Sequence, residues 1–96
     1  MKVGSITHKG LRKLFLGEGS KGVPASAAQK LEDMLGFLQD MPGIEALRTV
    51  PYWKAHELTG NRKGTWSLSV TKNWRLTFKV DQAKQELRDL NLEDYH

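Results

Sequence analysis

The 96-residue sequence predicts an α+β fold in which helices come first and a small, mostly antiparallel sheet follows. Apolar residues recur at helical spacing as far as Pro42 and Gly43, and after Pro51 the period changes to two, as in half-exposed strands. The linkers between the alternating stretches are short enough for hairpins. Helices followed by a strand meander are typical of a helical layer that covers one sheet face.

Two helices are predicted in the first half, after a possible short strand at the start. The stretch THKGLRKLFLGEG places Leu11, Leu14 and Phe15 on one face and ends in glycines. The second helix begins near Pro24 and contains Gly36, which costs about 1 kcal/mol relative to alanine. Because the linker GSKGVP is short, we expect the helices to form a hairpin packed on the sheet.

Four strands are predicted after Pro51, within YWKAHEL, TWSLSVT, RLTFKV and a weaker ELRDLNL. Alternation directs Leu68, Leu76 and Phe78 toward the buried face. The opposite face is expected to be open to solvent and polar. It would display Thr65, Ser67, Ser69, Thr71, Arg75, Thr77 and Lys79, with His56 on the neighbouring strand.

Length and composition restrict the class of protein. A chain of 96 residues suits one domain, spanning residues 1–96, and 39% hydrophobic residues is ordinary for a globular fold. No apolar run approaches the roughly 20 residues of a membrane span, and the first residues lack the apolar stretch of a secretory signal. The absence of cysteine excludes disulfides and thiolate metal sites. We therefore expect a cytoplasmic protein without a membrane partner.

The net charge of +4 is distributed unevenly along the chain. From Lys54 to Lys79 there are six Lys or Arg residues and one acid, whereas from Asp81 to His96 there are two basic residues and five acids. A basic middle segment suits a polyanion such as RNA, although a solvated charged face is the plainer interpretation.

The chain ends in EDYH, which gives the last strand three chemically active side chains, Asp94, Tyr95 and His96. If this strand pairs back into the sheet, they reach its edge near the basic loop Gly60–Gly64, close to His56. Two arginines, one in this loop and one on the predicted open face, would complete the group.

This combination of side chains suits metal-free RNA cleavage. The RNA supplies the nucleophile, its 2′-hydroxyl, so the protein needs a base, an acid and cations for the charge that builds on the phosphate. Histidine titrates near neutrality, arginine binds phosphate oxygens in a fixed fork, and tyrosine can stack on a base. Structural roles stay open for each residue: a local role for His8, half-burial for His56, packing for the tryptophans. A His/Asp/His metal site lacks close-spaced ligands, so we expect no metal or cofactor.

Three stretches, HKGLRKLF, GNRKGTWSLSVTKNWRLTF and EDYH, resemble in order and spacing the HigB branch of the RelE superfamily, bacterial toxins of type II toxin–antitoxin modules. The resemblance covers essentially the whole chain, and its most specific part is the pattern G-x-W-S-x-x-V-x-x-N-W-R-x-x-F from Gly64 to Phe78. It implies a RelE-like fold that cuts mRNA in the ribosomal A site without a cofactor. It also implies a HigA-like helix-turn-helix antitoxin, through which alone the toxin would reach operator DNA.

The resemblance also implies the site residues and their roles. His56 and His96 would share proton transfer, with base and acid unassigned, while Tyr95 would orient or stack the base, Asp94 would position an imidazole and Arg75 would stabilise the developing charge. In full, the implied catalytic residues are His56, Asp94, Tyr95 and His96, and the implied RNA- or phosphate-binding residues are Arg62, Lys63, Asn73 and Arg75.

The sequence departs from this pattern beside His56, where it reads HELTGNR and many relatives read HPLKGDR. Thr59 replaces a usual lysine, Glu57 adds a negative charge next to the histidine, and Asn61 removes one. We therefore expect one phosphate contact fewer and a weak toxin.

Two other functions stay open at this point. One is a non-catalytic module that binds RNA, or that acts with its antitoxin as a co-repressor. The other is a nuclease that cuts free RNA without ribosomes, although so small a chain lacks an obvious long groove.

Overall fold

The computed structural model describes residues 1–95, which form two α-helices and a five-stranded mixed sheet. The predicted α+β class is confirmed, while the hairpin arrangement of the helices stays a prediction. Short 3-10 turns join several of these elements. The elements are β1 (Lys2–Val3), α1 (Lys9–Phe15), α2 (Ala28–Asp40), β2 (His56–Glu57), β3 (Thr65–Ser69), β4 (Trp74–Asp81) and β5 (Glu86–Asp94).

The sheet has the strand order β1-β5-β4-β3-β2, and its pairs are antiparallel except for β1 against β5. The predicted last strand is confirmed and is longer than its weak pattern indicates, because β5 is nine residues long and pairs with both β4 and β1. The register shifts between Thr77 and Lys79, where β5 has one extra residue and Asp89 adopts a left-handed φ of 54°. This bulge interrupts the alternation on which a strand prediction depends.

The stretch YWKAHEL is mostly not a strand, which corrects the prediction for it. Pro51–Trp53 forms a single 3-10 turn, and Lys54 ends that turn in the left-handed region with a φ of 51°. Only His56 and Glu57 pair with β3. Proline fixes φ near the helical value, so the chain turns before it can extend.

The core lies between the helices and one face of the sheet. His8 caps α1, its Nδ1 accepting a hydrogen bond from the Leu11 amide at 3.0 Å, so the local structural role expected for it is confirmed. The buried apolar residues include Leu11, Leu14, Leu31, Met34, Leu35, Leu38, Leu68, Leu76, Phe78, Leu87, Leu90 and Leu92.

Two glycines allow α1 to touch the loop that precedes α2. A Cβ atom on Gly10 would lie 2.0 Å from the Gly22 carbonyl oxygen, and one on Gly22 would lie 2.4 Å from the Cα of Gly10. The two backbone segments are therefore in direct contact, and no side chain fits between them.

The amino-terminal ammonium of Met1 is bound at the carboxyl end of α2. It donates hydrogen bonds to the carbonyl oxygens of Leu38 and Gln39, each at 3.0 Å, and to that of Met41. A positive charge at this end of a helix is favourable because the last carbonyls there lack partners within the helix. The contact holds β1 against the helical layer.

Neither α1 nor α2, the α-helices described within residues 1–95, has the length and apolarity that a membrane span requires.

Candidate active site

The sheet face that points away from the helices carries two rows of polar side chains. Strand pairing aligns His56 with Ser67, Ser67 with Thr77, and Thr77 with Asn91. The same register aligns Ser69 with Arg75 and Arg75 with Glu93 in the adjacent row. Strand pairing therefore brings residues as far apart in the chain as His56 and Glu93 onto the same face of the sheet, as the alternating sequence predicts.

His56 is exposed and its ring is oriented by its own chain segment. Its Nδ1 lies 2.9 Å from the carbonyl oxygen of Lys54. Because a carbonyl only accepts, Nδ1 carries the hydrogen, and in the neutral ring Nε2 is the nitrogen with the free lone pair. The left-handed turn at Lys54 is what directs this carbonyl toward the ring.

Glu57 is next to His56 in the chain, but its carboxylate is bound elsewhere. Oε2 of Glu57 accepts a hydrogen bond from the Gly64 amide at 3.1 Å, and the residue pairs with Trp66 rather than Ser67. The negative charge expected beside the histidine instead closes the base of the loop from Gly60 to Gly64.

Arg62 reaches from this loop over the sheet and binds Glu93. Its Nη1 and Nη2 donate to the two carboxylate oxygens at 2.8 and 2.5 Å, and the Thr77 hydroxyl donates to Oε2 at 2.6 Å. Hydrogen bonding by Arg62 holds the pKa of Glu93 below its ordinary value, with help from Thr77 and against the effect of partial burial. The same pair raises the pKa of Arg62. The arginine predicted to bind phosphate thus has a carboxylate partner.

Arg75 and Tyr95 form the other half of the site. The guanidinium carbon of Arg75 lies 4.0 Å from the centre of the Tyr95 ring, within cation–π range. Nη1 of Arg75 donates to the carbonyl oxygens of Thr71 and Trp74 at 2.7 and 3.0 Å. The Tyr95 amide donates to the Asn73 carbonyl at 2.6 Å, so the turn between β3 and β4 holds the Arg75 side chain and the Tyr95 backbone in place.

These residues line one cleft of about 490 Å³ on the open face. Lys63 and Asn73 do not line it, since each faces a neighbouring groove, and His96 lies outside the described residues. Of the residues predicted from the sequence, the cleft brings together His56, Arg62, Arg75, Asp94 and Tyr95.

Sequence reasoning missed three residues of this cleft, Glu93, Thr77 as a hydrogen-bond donor, and Lys54. The signal that could have found Glu93 is its position directly after Leu92, which is buried. Alternation along the strand therefore directs Glu93 to the polar face. Its pairing with Arg62 depends on the fold of the loop, which carries no such periodic signal.

The cleft can accept a proton at the Nε2 of His56 and can bind anionic oxygens through its guanidinium and ammonium groups. Within residues 1–95, no group of three or more His, Asp or Glu side chains is arranged to hold a metal ion. The exposed ring of Tyr95 offers a surface for a planar ligand.

Comparisons with known proteins agree with this description of the fold. A family model for the RelE-like toxin of type II toxin–antitoxin system HigB matches residues 4–96. Endoribonuclease HigB of Proteus vulgaris is 39% identical over 92 residues, which are 96% of this chain and 97% of that protein. The YoeB/ParE toxin from Agrobacterium tumefaciens has a similar fold, with a TM-score of 0.60 and 19% identity over 100% of both chains. The chain belongs to the HigB-like toxins, which are RelE-like toxins of type II toxin–antitoxin systems.

Proposed function

We propose that this toxin is an endoribonuclease that cuts mRNA in the ribosomal A site. The observation that carries the proposal is the cleft in which His56, Arg75 and Tyr95 lie together, with a basic nitrogen, a guanidinium and an exposed ring. The curated name of the 39% identical relative, Endoribonuclease HigB, supports the same activity.

The chemistry we propose uses the 2′-hydroxyl of the RNA as nucleophile. Nε2 of His56 accepts its proton as the 2′-oxygen bonds to phosphorus, and the bond from phosphorus to the 5′-oxygen breaks. His96 gives a proton to that 5′-oxygen, and Asp94 orients an imidazole. The products are a 2′,3′-cyclic phosphate and a 5′-hydroxyl end, and no metal or cofactor takes part.

Arg75 stabilises the negative charge that develops on the phosphate in this scheme. Its Nη1 is held by backbone carbonyls and its plane by the Tyr95 ring, so the group is oriented before RNA binds. Tyr95 stacks on the base beside the cut. Arg62 and Lys63 bind flanking phosphates, and Arg62 exchanges Glu93 for phosphate when RNA arrives. Asn73 holds the Tyr95 backbone and contacts RNA from the neighbouring groove.

The partners follow from the type of module. A type II toxin is restrained by an antitoxin, and we propose a HigA-like helix-turn-helix protein that alone contacts operator DNA. The ribosome and its mRNA are the target. We further propose that residues 1–96 act as one domain.

The test is a cleavage assay that maps 5′ ends on a defined mRNA by primer extension, with and without translating ribosomes. Cuts inside codons that require ribosomes are the expected result, and replacing His96 with alanine should abolish them. Cuts on naked RNA would favour a free-standing nuclease instead. An absence of cuts in both reactions, with RNA binding intact, would make the protein a non-catalytic binding module.

A further inference from the structure

A second groove adjoins the candidate cleft, and Tyr52 is one of the residues that line it. The cleft and this groove share Lys54, Ser69, Arg75 and Tyr95, and the groove has a volume of about 620 Å³. We call it the tyrosine groove. The residues that define it are Tyr52, Tyr95, Lys30, Lys54, Lys72 and Arg75.

The tyrosine groove exposes two aromatic rings that the core does not need. Within residues 1–95 the exposed large apolar side chains are Leu16, Tyr52 and Tyr95, and both tyrosines line this groove. Tyr52 is 67% exposed, yet its ring contacts the buried Trp53 edge to face, with centroids 6.2 Å apart. The ring therefore stands as a supported platform whose free surface a nucleobase could cover by stacking.

In the described part of the chain, the charged side chains that line the tyrosine groove are all positive. Among the described residues that line it are Lys30, Lys54, Lys72 and Arg75, and no carboxylate. Within residues 1–95 none of the three lysines belongs to an ion pair. The candidate cleft differs, because Glu93 and Asp94 line it. A phosphate would therefore meet less repulsion in the tyrosine groove than at the cleft itself.

We propose that the tyrosine groove binds a nucleotide of single-stranded RNA that flanks the cut. Its base stacks on Tyr52, and its phosphate lies among Lys30, Lys54 and Lys72. Cations interleaved with exposed aromatic rings are the combination that binds single strands, whose bases are free to stack. The inference rests on the proposed function, because the groove opens into the cleft where that reaction is proposed to occur.

The test measures the binding of a short, labelled 2′-O-methyl RNA, which lacks the nucleophile and cannot be cut, by fluorescence anisotropy at low salt. Tyr52→Ala should weaken binding by about 5- to 150-fold, because one base loses its stacking partner. Tyr52→Phe keeps the ring and should bind like the wild type. Leu16→Ala is the matched control, an exposed apolar side chain that does not line the groove.

A series of oligonucleotides, each with one abasic position, identifies the stacked base. The effect of Tyr52→Ala should disappear for one position and persist for the others. Unchanged binding of Tyr52→Ala overturns the inference. So does a loss that no abasic position removes, or an equal loss in Leu16→Ala. Poly-glutamate is added as a competitor for the labelled RNA. If Tyr52→Ala weakens the binding of poly-glutamate as strongly as it weakens the binding of RNA, the groove binds an acidic protein and the inference is overturned.

The phosphate contacts of the lysines are tested by measuring how RNA affinity depends on salt concentration. Two lysines in two hairpin turns, one in the groove and one outside it, are compared. Lys72 lies in the turn from β3 to β4 and lines the groove, whereas Lys84 lies in the turn from β4 to β5 and does not. Lys72→Ala should lower the slope of log affinity against log salt by about 0.7, and Lys84→Ala should leave it unchanged. Equal slopes for the two variants contradict the phosphate contact.

The same variants in the cleavage assay separate this inference from the proposed function. If the wild-type protein cuts mRNA, and Tyr52→Ala binds and cuts RNA equally well, only the proposed role of the tyrosine groove is refuted. If RNA binding requires Tyr52 but the wild-type protein does not cut RNA in any reaction, only the proposed nuclease activity is refuted.

Discussion

The two faces of the sheet are built from the same strands and differ in what their side chains do. On the helix side Leu68, Leu76 and Phe78 have at most 1% of their surface exposed. On the open side Ser67 and Thr77 are also buried, but they are polar residues that line the candidate cleft. There Arg62 and the Thr77 hydroxyl both donate hydrogen bonds to the carboxylate of Glu93.

This difference shows that, in an alternating strand, the residues of one face contribute to the stability of the fold and those of the other face are available for ligand binding. Adjacent residues such as Thr77 and Phe78 belong to opposite faces, so neighbouring substitutions should have unrelated effects. A change on the helix side should lower the free energy of unfolding, while a change on the open side should alter RNA cleavage or its pH dependence.

The largest effect on stability is expected for Phe78→Ala. It removes a fully buried ring from the core, which should lower the free energy of unfolding by about 3–5 kcal/mol in urea denaturation. The neighbouring exposed residue provides the control, since Lys79→Ala should change it by no more than about 0.5 kcal/mol. Similar losses in both variants would contradict the division between the faces.

His56→Gln should strongly lower activity without an effect on folding. Loss of the Nε2 base should lower the cleavage rate by about 10²- to 10⁴-fold, measured on a programmed ribosome, while the unfolding midpoint stays that of the wild type. His8→Asn is the matched control, because it preserves a side-chain acceptor for the Leu11 amide far from the cleft. A rate for His56→Gln equal to that of His8→Asn would remove His56 from the mechanism.

Glu93→Gln should change how stability depends on pH. The pKa of Glu93 is lower in the folded state than its ordinary value of 4.5, so ionisation of Glu93 stabilises the fold above that value. This contribution is lost as the pH falls through the folded pKa. The difference in unfolding free energy between wild type and variant should therefore be largest near neutral pH and shrink below about pH 4.5. A difference that is constant with pH would show that the Arg62 pair adds nothing to stability.

Gly36→Ala should have the smallest effect, and a favourable one. Gly36 lies inside α2, and apart from its chain neighbours and the backbone of its own helix no atom lies within 4 Å of an added Cβ, so alanine should raise the unfolding free energy by about 0.5–1 kcal/mol. Gly17 also has free space, but its φ of 74° makes alanine there unfavourable by about 1 kcal/mol. Both variants should cut RNA like the wild type, and a changed rate would couple the helical layer to the site.

The sequence predicted the parts of the molecule that depend on local period. Alternation around Leu76 and Arg75 assigned both faces of β4 correctly, and the glycine-bounded loop and the terminal tyrosine do lie close to one cleft. Their catalytic and RNA-binding roles stay predictions. The bulge at Asp89 and the left-handed turn at Lys54 were missed, because both depend on backbone angles that other residues could also adopt. The partner of Arg62 was missed because Glu93 is 31 positions away.

The contact between Gly10 and Gly22 has a consequence for genetics. In a selection for cells that survive expression of this toxin, substitutions at either glycine should be recovered alongside those at the candidate cleft, because any side chain would force the two backbone segments apart. Survivors of that kind would contain little folded toxin, which immunoblotting of the soluble fraction would reveal. A map of escape mutations would therefore include substitutions at these two glycines that report on folding, separate from those at the candidate cleft.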